Sequence, residues 1–100
     1  MYSNRKSIWL LLSASFISCV SVLYMPSQDD ALKQNTSLEK LQQGRELYIS
    51  KCGSCHNLYL PSSYNSKEWL PILDKMQKPA RINDSQKEII TRYIETNSKK

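Results

Sequence analysis

The chain has 100 residues, among them three cysteines, one histidine and two glycines, and this length allows one small domain. The formal net charge is +5, from 14 Lys and Arg against 9 Asp and Glu. The positive charges are scattered rather than clustered, so nucleic-acid binding has little support. An odd cysteine count, with two cysteines in a C-x-x-C run, also argues against a scaffold held by several disulfides.

The first 18 residues predict an export leader. A basic pair, Arg5-Lys6, precedes an apolar run from Ile8 to Ile17, and these are the charged and apolar regions of a secretory signal. The quartet Phe16-Ile17-Ser18-Cys19 resembles a bacterial lipobox, with phenylalanine in place of the usual leucine. This resemblance implies lipidation of Cys19 once residues 1–18 have been removed.

Two other fates of the leader stay open. Ordinary signal peptidase could cleave it nearby, or residues 8–25 could remain as an uncleaved anchor, whose 18 residues are barely enough to span a bilayer. All three alternatives predict a location outside the cytoplasm, in the periplasm or at the outer face of a bacterial membrane. The following residues, 19–37, predict a flexible tether, because the stretch from Pro26 to Ser37 is polar and lacks a sustained hydrophobic period.

A first helix of the folded domain, residues 38–100, is predicted from Leu38 to about Lys51. Ser37 is a suitable N-cap for it. Glycine inside a helix costs roughly 1 kcal/mol relative to alanine, so Gly44 predicts the close approach of another helix backbone. The stripe at helical spacing consists of Leu41, Gly44, Tyr48 and Cys52.

The run Cys52-Gly53-Ser54-Cys55-His56 is a C-x-x-C-H sequence, the signature of c-type haem attachment. Two thiols at this spacing can each form a thioether with one vinyl group of a single haem, and His56 can then bind the iron as its proximal ligand. A thioredoxin-like redox pair would need a βαβ context, and a zinc site usually needs four ligands. The run therefore predicts one covalently bound haem c.

Residues 57–65 predict a loop, because Pro61 and several Ser and Asn residues block regular structure. Leu58 and Leu60 are the aliphatic residues that we expect to cover the haem.

A second helix is predicted from Ser66 to about Lys78. Asn65 followed three residues later by Glu68 fits a capping pattern. Pro71 either kinks this helix or moves its regular part to begin near Trp69. The helix face that we expect to look at the haem carries Trp69, Leu73 and Met76, with Ile72 beside them.

A last helix follows Asn83, which is a plausible N-cap. No segment alternates with period two for long enough to indicate a sheet, so the predicted fold is all-α with three principal helices. About sixty residues bury little core, and a haem would supply the missing apolar centre. The buried stripe of the last helix is expected to contain Ile89, Ile90, Tyr93 and Ile94.

Gly44 and Tyr48, the C-x-x-C-H run and the late helix with Tyr93 together resemble the small monohaem cytochromes c, over about residues 38–97. The resemblance implies an all-α haem domain in which Gly44 and Tyr48 meet Tyr93 where the first and last helices cross. It also implies that a proline carbonyl, here that of Pro61, orients the proximal His56.

The distal iron ligand is predicted to be Met76, the only methionine after the motif, 20 residues beyond His56. Its seven-residue spacing from Trp69 is similar to an arrangement in short cytochromes, although many family members place this methionine on a loop. An open or water-bound site, or ligation by Lys75 or Lys78, stays as an alternative, since a helical methionine is often core filler.

Histidine and methionine together would saturate the iron, which predicts an electron carrier rather than an enzyme, with redox proteins as partners and no small-molecule substrate. A haem-bearing subunit docked permanently on a membrane or periplasmic oxidoreductase is the main alternative; a gas or redox sensor would need an open iron and an output domain. Without Arg5 and Lys6 the net charge is +3, so a mildly basic face for an acidic partner is compatible with the composition.

Overall fold

The computed structural model describes residues 23–53 and 58–100, so Cys19, Cys55 and His56 lie outside the described residues. The described parts contain helices and no strand, with one isolated bridge between Asn65 and Lys99. The all-α prediction is confirmed. The four α-helices are α1 (Gln28–Lys33), α2 (Leu38–Leu47), α3 (Ser66–Met76) and α4 (Asp84–Glu95).

The helix predicted between residues 38 and 51 is present as α2 followed by a π-helical turn, Tyr48–Cys52. The Ser37 side chain caps α2 by accepting a hydrogen bond from the Lys40 backbone N–H at 3.1 Å, which satisfies one of the donors left open at a helix start. π-Helical turns are rare in proteins, and those that occur are often located at functional sites. Here the turn ends at the first cysteine of the C-x-x-C-H run.

Reciprocal capping boxes begin the other two predicted helices. At the start of α3, the Asn65 side chain accepts from the Glu68 N–H at 2.9 Å, and the Glu68 carboxylate accepts from the Asn65 N–H at 3.2 Å. Asn83 and Gln86 make the same pair of bonds at the start of α4. Pro71 lies inside α3 at an exposed position, so water can satisfy the carbonyl that its ring leaves without a donor.

Helices α2 and α4 cross at Gly44, as the sequence predicts. A β-carbon at this position would lie 2.4 Å from the Ile89 carbonyl oxygen and 2.9 Å from the Tyr93 β-carbon, distances that only glycine permits. One turn later the rings of Tyr48 and Tyr93 pack with centroids 6.2 Å apart. The predicted meeting of Gly44 and Tyr48 with Tyr93 is therefore confirmed.

The core lies between α2, α3 and α4 and extends along the π-helical turn. Ion pairing also joins α3 to α4, because Lys87 Nζ lies 2.5 Å from Asp74 Oδ1. The C-terminus returns to the start of α3, where the Lys99 N–H donates to the Tyr64 carbonyl at 2.9 Å. Large side chains of this core with no more than 3% of their surface exposed are Leu41, Tyr48, Trp69, Leu73, Ile90, Tyr93 and Ile94.

Residues 23–37 do not form the flexible tether expected from the sequence; we call them the docked segment. They contain α1, whose Ser27 and Asp30 form a capping box, and Leu23 and Ala31 are buried against the rest of the protein. A six-residue helix has fewer than two turns, so it shows no sustained period in the sequence.

Long-range hydrogen bonds hold the docked segment in place. The Tyr93 hydroxyl donates to the Tyr24 carbonyl at 2.7 Å, and the Arg92 guanidinium donates to the Gln34 carbonyl at 2.6 Å. Because these donors belong to α4, the segment is fixed by residues far away in the sequence. Pattern within the segment therefore could not predict its docking.

Candidate haem site

Cys52 is the one member of the predicted Cys52, Cys55 and His56 set that lies within the described residues. It is the last residue of the π-helical turn, half-buried and packed against the core. The next residue, Gly53, donates its N–H to the Ile49 carbonyl at 3.1 Å. A β-carbon on Gly53 would lie 2.5 Å from that same carbonyl oxygen, so glycine allows the chain to turn closely after the first thiol.

Tyr48 lies one turn before Cys52 and is buried with 3% of its surface exposed. Its hydroxyl donates to the backbone carbonyl of Tyr59. Burial, and to a smaller extent the charges of Cys52, Tyr93 and Tyr64, raises the pKa of the Tyr48 phenol far above its usual range. The phenol therefore remains a protonated donor at any pH at which the protein is handled.

Two carbonyl groups of the segment Leu58–Pro61 are held by aromatic side chains. One is the Tyr59 carbonyl, bonded by Tyr48, and the other is the Pro61 carbonyl, which accepts from the Trp69 indole N–H at 2.8 Å in a buried bond. Leu58 packs on the core. Trp69 is thus the donor that the structure gives to the Pro61 carbonyl, and a bond from His56 to this carbonyl stays a prediction.

Aromatic side chains surround this segment as one cluster. Trp69 meets Tyr48 edge-to-face with ring centroids 6.2 Å apart and meets Tyr64 in the same manner at 5.2 Å. Tyr64 in turn contacts the Tyr59 ring at 5.6 Å. The sequence pattern did not indicate a role for Tyr59 and Tyr64. The signal that could have found them is the recurrence of an aromatic residue every five positions, at Tyr59, Tyr64 and Trp69.

The face of α3 predicted to look at the haem is divided in the structure. Trp69 and Leu73 are buried in the core, each with 3% of its surface exposed, whereas Met76 at the last position of the helix is half-buried. Met76 is therefore less buried than the two residues that precede it on this face, and its role as the distal ligand stays a prediction.

Basic side chains surround the end of α3. Lys75 and Lys78 flank Met76 and are exposed. With Arg81 they line a cavity of about 360 Å³ whose other walls come from Asp74, Gln77 and Ile82. This cavity contains neither Trp69 nor Leu58, so it is separate from the aromatic cluster.

The donor set of the chain fits an iron porphyrin. Two thiols at C-x-x-C spacing suit two vinyl groups, and the adjoining imidazole and the single later thioether suit the two axial positions of iron. Cys52 packs against the core that includes Tyr48 and Trp69 of the aromatic cluster. These rings form an apolar surface of the kind that a porphyrin packs against. The residues present therefore fit haem c.

An all-α domain with a C-x-x-C-H run directly after the helix that carries Gly44, and with that helix crossing the last one at Tyr93, defines a c-type cytochrome domain. A sequence profile of the dihaem cytochrome c family matches residues 48–100, just over half of the chain. The chain belongs to that family. This match corrects the resemblance to monohaem cytochromes, since the family is one of dihaem proteins.

Neither a curated protein nor a solved structure matches the chain. The family match begins at Tyr48, so α2 and the docked segment lie outside it. Within residues 23–53 and 58–100, no helix has the length and apolar character needed to cross a membrane.

Proposed function

We propose that the protein is an electron carrier that holds one haem c through Cys52 and Cys55, with His56 as the proximal ligand. The observation that carries this proposal is the family match across residues 48–100, together with the single C-x-x-C-H run that it contains. When bound, the haem supplies a one-electron couple between ferric and ferrous iron. The protein contributes attachment, burial of the ring and the choice of axial ligands.

One haem belongs to this chain, although its family is described as dihaem. Each covalent haem needs its own pair of thiols and its own proximal histidine, and the sequence has one C-x-x-C-H run and one histidine. A second haem in a functional unit would have to be attached to polypeptide outside these 100 residues.

Met76 serves as the distal ligand. The half-buried state of its side chain, next to the buried Trp69 and Leu73 on the same helix face, supports this assignment. Lys75 and Lys78 are the competing ligands, but both are exposed and would need to be deprotonated to bind iron. Methionine ligation raises the reduction potential and leaves no open position for a substrate.

The carrier works outside the cytoplasm with redox proteins as partners. The export leader predicted from the sequence supports the location, and Cys19 lipidation or a retained leader would keep the domain near membrane-bound partners and raise its effective concentration. Exposed apolar residues next to the haem run, Tyr59 and Leu60, provide a surface where the electron can leave.

A permanently docked haem subunit is the second candidate function, and exposed apolar side chains favour it. Tyr59 has 58% of its surface exposed and Leu70 has 50%, and a permanently bound partner would cover these side chains. Affinity isolation from membranes through a tag on the docked segment separates the two functions: a stoichiometric partner supports the subunit, and a free protein supports the carrier.

The decisive experiment is a set of absorption spectra of the purified protein in the ferric and ferrous states, with and without carbon monoxide. A saturated iron predicts a low-spin ferrous spectrum that carbon monoxide leaves unchanged. Replacing Met76 by alanine is expected to open the iron, so that carbon monoxide binds and the reduction potential falls. If the wild-type protein binds carbon monoxide readily, the His/Met assignment is wrong.

A further inference from the structure

We infer that Tyr48 and Trp69 are positioning residues of the haem site, which act by holding the backbone of Leu58–Pro61 through two carbonyl hydrogen bonds. We call this pair of bonds the carbonyl clamp: Tyr48 hydroxyl to Tyr59 carbonyl, and Trp69 indole to Pro61 carbonyl. The inference rests on the proposed haem-based electron transfer and names residues that tune it.

The clamp is built from buried groups. Tyr48 and Trp69 each have 3% of their surface exposed, and their rings contact each other edge-to-face at 6.2 Å. The acceptors are carbonyl groups two residues apart on one short segment. A buried donor that loses its acceptor is left desolvated without a hydrogen bond, which is energetically costly. Both bonds therefore oppose any movement of this segment.

The clamp restrains the chain on both sides of the C-x-x-C-H run. Tyr48 lies four residues before Cys52, inside the π-helical turn, and Tyr59 lies three residues after His56. The described residues on the two sides of the run are thus tied to each other, since the Tyr48 hydroxyl donates to the Tyr59 carbonyl.

A purely structural role is the alternative explanation, and Tyr93 provides the comparison. Its hydroxyl also donates to a backbone carbonyl, that of Tyr24, at 2.7 Å, and its side chain is fully buried. Burial raises the pKa of both the Tyr48 and the Tyr93 phenol, so both are protonated donors. The difference is the target, since Tyr93 holds the docked segment and Tyr48 holds the residues that follow the haem run.

The test compares Tyr48→Phe with Tyr93→Phe in the full-length haem-loaded protein. Each substitution removes one phenol hydroxyl that donates to a backbone carbonyl. Loss of the Tyr48 bond frees the Tyr59 carbonyl and admits water near the haem, which favours the more highly charged ferric state. We expect the reduction equilibrium to shift about fivefold toward ferric haem, or about 40 mV at the 59 mV per tenfold change of a one-electron couple. The ferric electron paramagnetic resonance g-values should change as well.

Tyr93→Phe is expected to leave the potential and the g-values unchanged, even if it lowers the melting temperature as much as Tyr48→Phe does. Trp69→Phe should shift the potential in the same direction as Tyr48→Phe, because it removes the other half of the clamp. It also serves as the second variant if Tyr48→Phe fails to accumulate. Equal shifts in Tyr48→Phe and Tyr93→Phe, or no shift in the clamp variants, would overturn the inference.

Amide hydrogen exchange gives a readout that does not depend on the iron. Tyr48→Phe should speed exchange in residues 58–63 and leave the docked segment protected, while Tyr93→Phe should do the reverse. Exchange that is identical in both variants contradicts the clamp. Failure of the proposed function is recognised separately, as wild-type protein that carries no covalent haem or binds carbon monoxide.

Discussion

Replacing Gly44 by alanine tests the crossing of α2 and α4. The added methyl group would lie 2.4 Å from the Ile89 carbonyl oxygen and 2.9 Å from the Tyr93 β-carbon. The first is a backbone atom and the second is bonded directly to the backbone, so neither can move aside as the far end of a flexible side chain could. Overpacking of this kind costs about 3 kcal/mol at the upper end of its usual range, and alanine regains about 1 kcal/mol of helix propensity. A net loss of about 2 kcal/mol follows, which is roughly 8–16 °C in melting temperature for a domain of this size.

The assay is thermal and guanidinium unfolding of the haem-loaded protein, followed by circular dichroism at the helix band. Gln43→Ala is the matched control, because Gln43 precedes Gly44 in α2 and is exposed; its change should stay within about 0.5 kcal/mol. A Gly44→Ala protein that is as stable as the wild type, or more stable, would refute the crossing as described.

The remaining predictions concern the docked segment and a helix cap. Burial raises the pKa of Asp30, but hydrogen bonds from the Ser27 backbone, the Tyr24 hydroxyl and the Ser27 hydroxyl outweigh it and lower this pKa below its usual range. The contribution of Asp30 to stability is therefore complete above about pH 3.9, the usual aspartate value, and is lost as the pH falls through the lowered pKa. Amide exchange of α1 should rise over that acidic range, and Asp30→Asn should remove the dependence whereas the exposed Asp29→Asn should keep it. Asn65→Ala removes the α3 cap and should cost about 1 kcal/mol in guanidinium unfolding; an unchanged midpoint would show that this cap contributes nothing.

Local chemistry explains the parts of the fold that the sequence predicts. Ser37, Asn65 and Asn83 cap the three expected helices, because each side chain bonds to a backbone group within three residues of itself. The contact of Gly44 and Tyr48 with another helix can also be predicted, since their spacing places them on one helix face. These features depend on neighbours in the sequence or on a periodic face.

The docked segment and the carbonyl clamp could not be predicted in this way. Tyr24 and its donor Tyr93 are 69 residues apart, and nothing in the pattern around either residue specifies the other. Periodicity places Trp69 on the inner face of α3, but it does not reveal that the indole N–H meets the Pro61 carbonyl. The C-x-x-C-H run likewise indicates one haem attachment site, and it does not indicate that the family is one of dihaem proteins.

The ratio of covalently bound haem to polypeptide tests most directly whether this chain carries one haem c through Cys52 and Cys55. It is measured on protein denatured in acidified organic solvent, which removes non-covalent haem, by the pyridine haemochrome spectrum and the intact mass. We predict one haem per chain, lost from the double variant Cys52→Ser, Cys55→Ser. A denatured chain that carries no haem, or more than one, would contradict the attachment of a single haem at the C-x-x-C-H run.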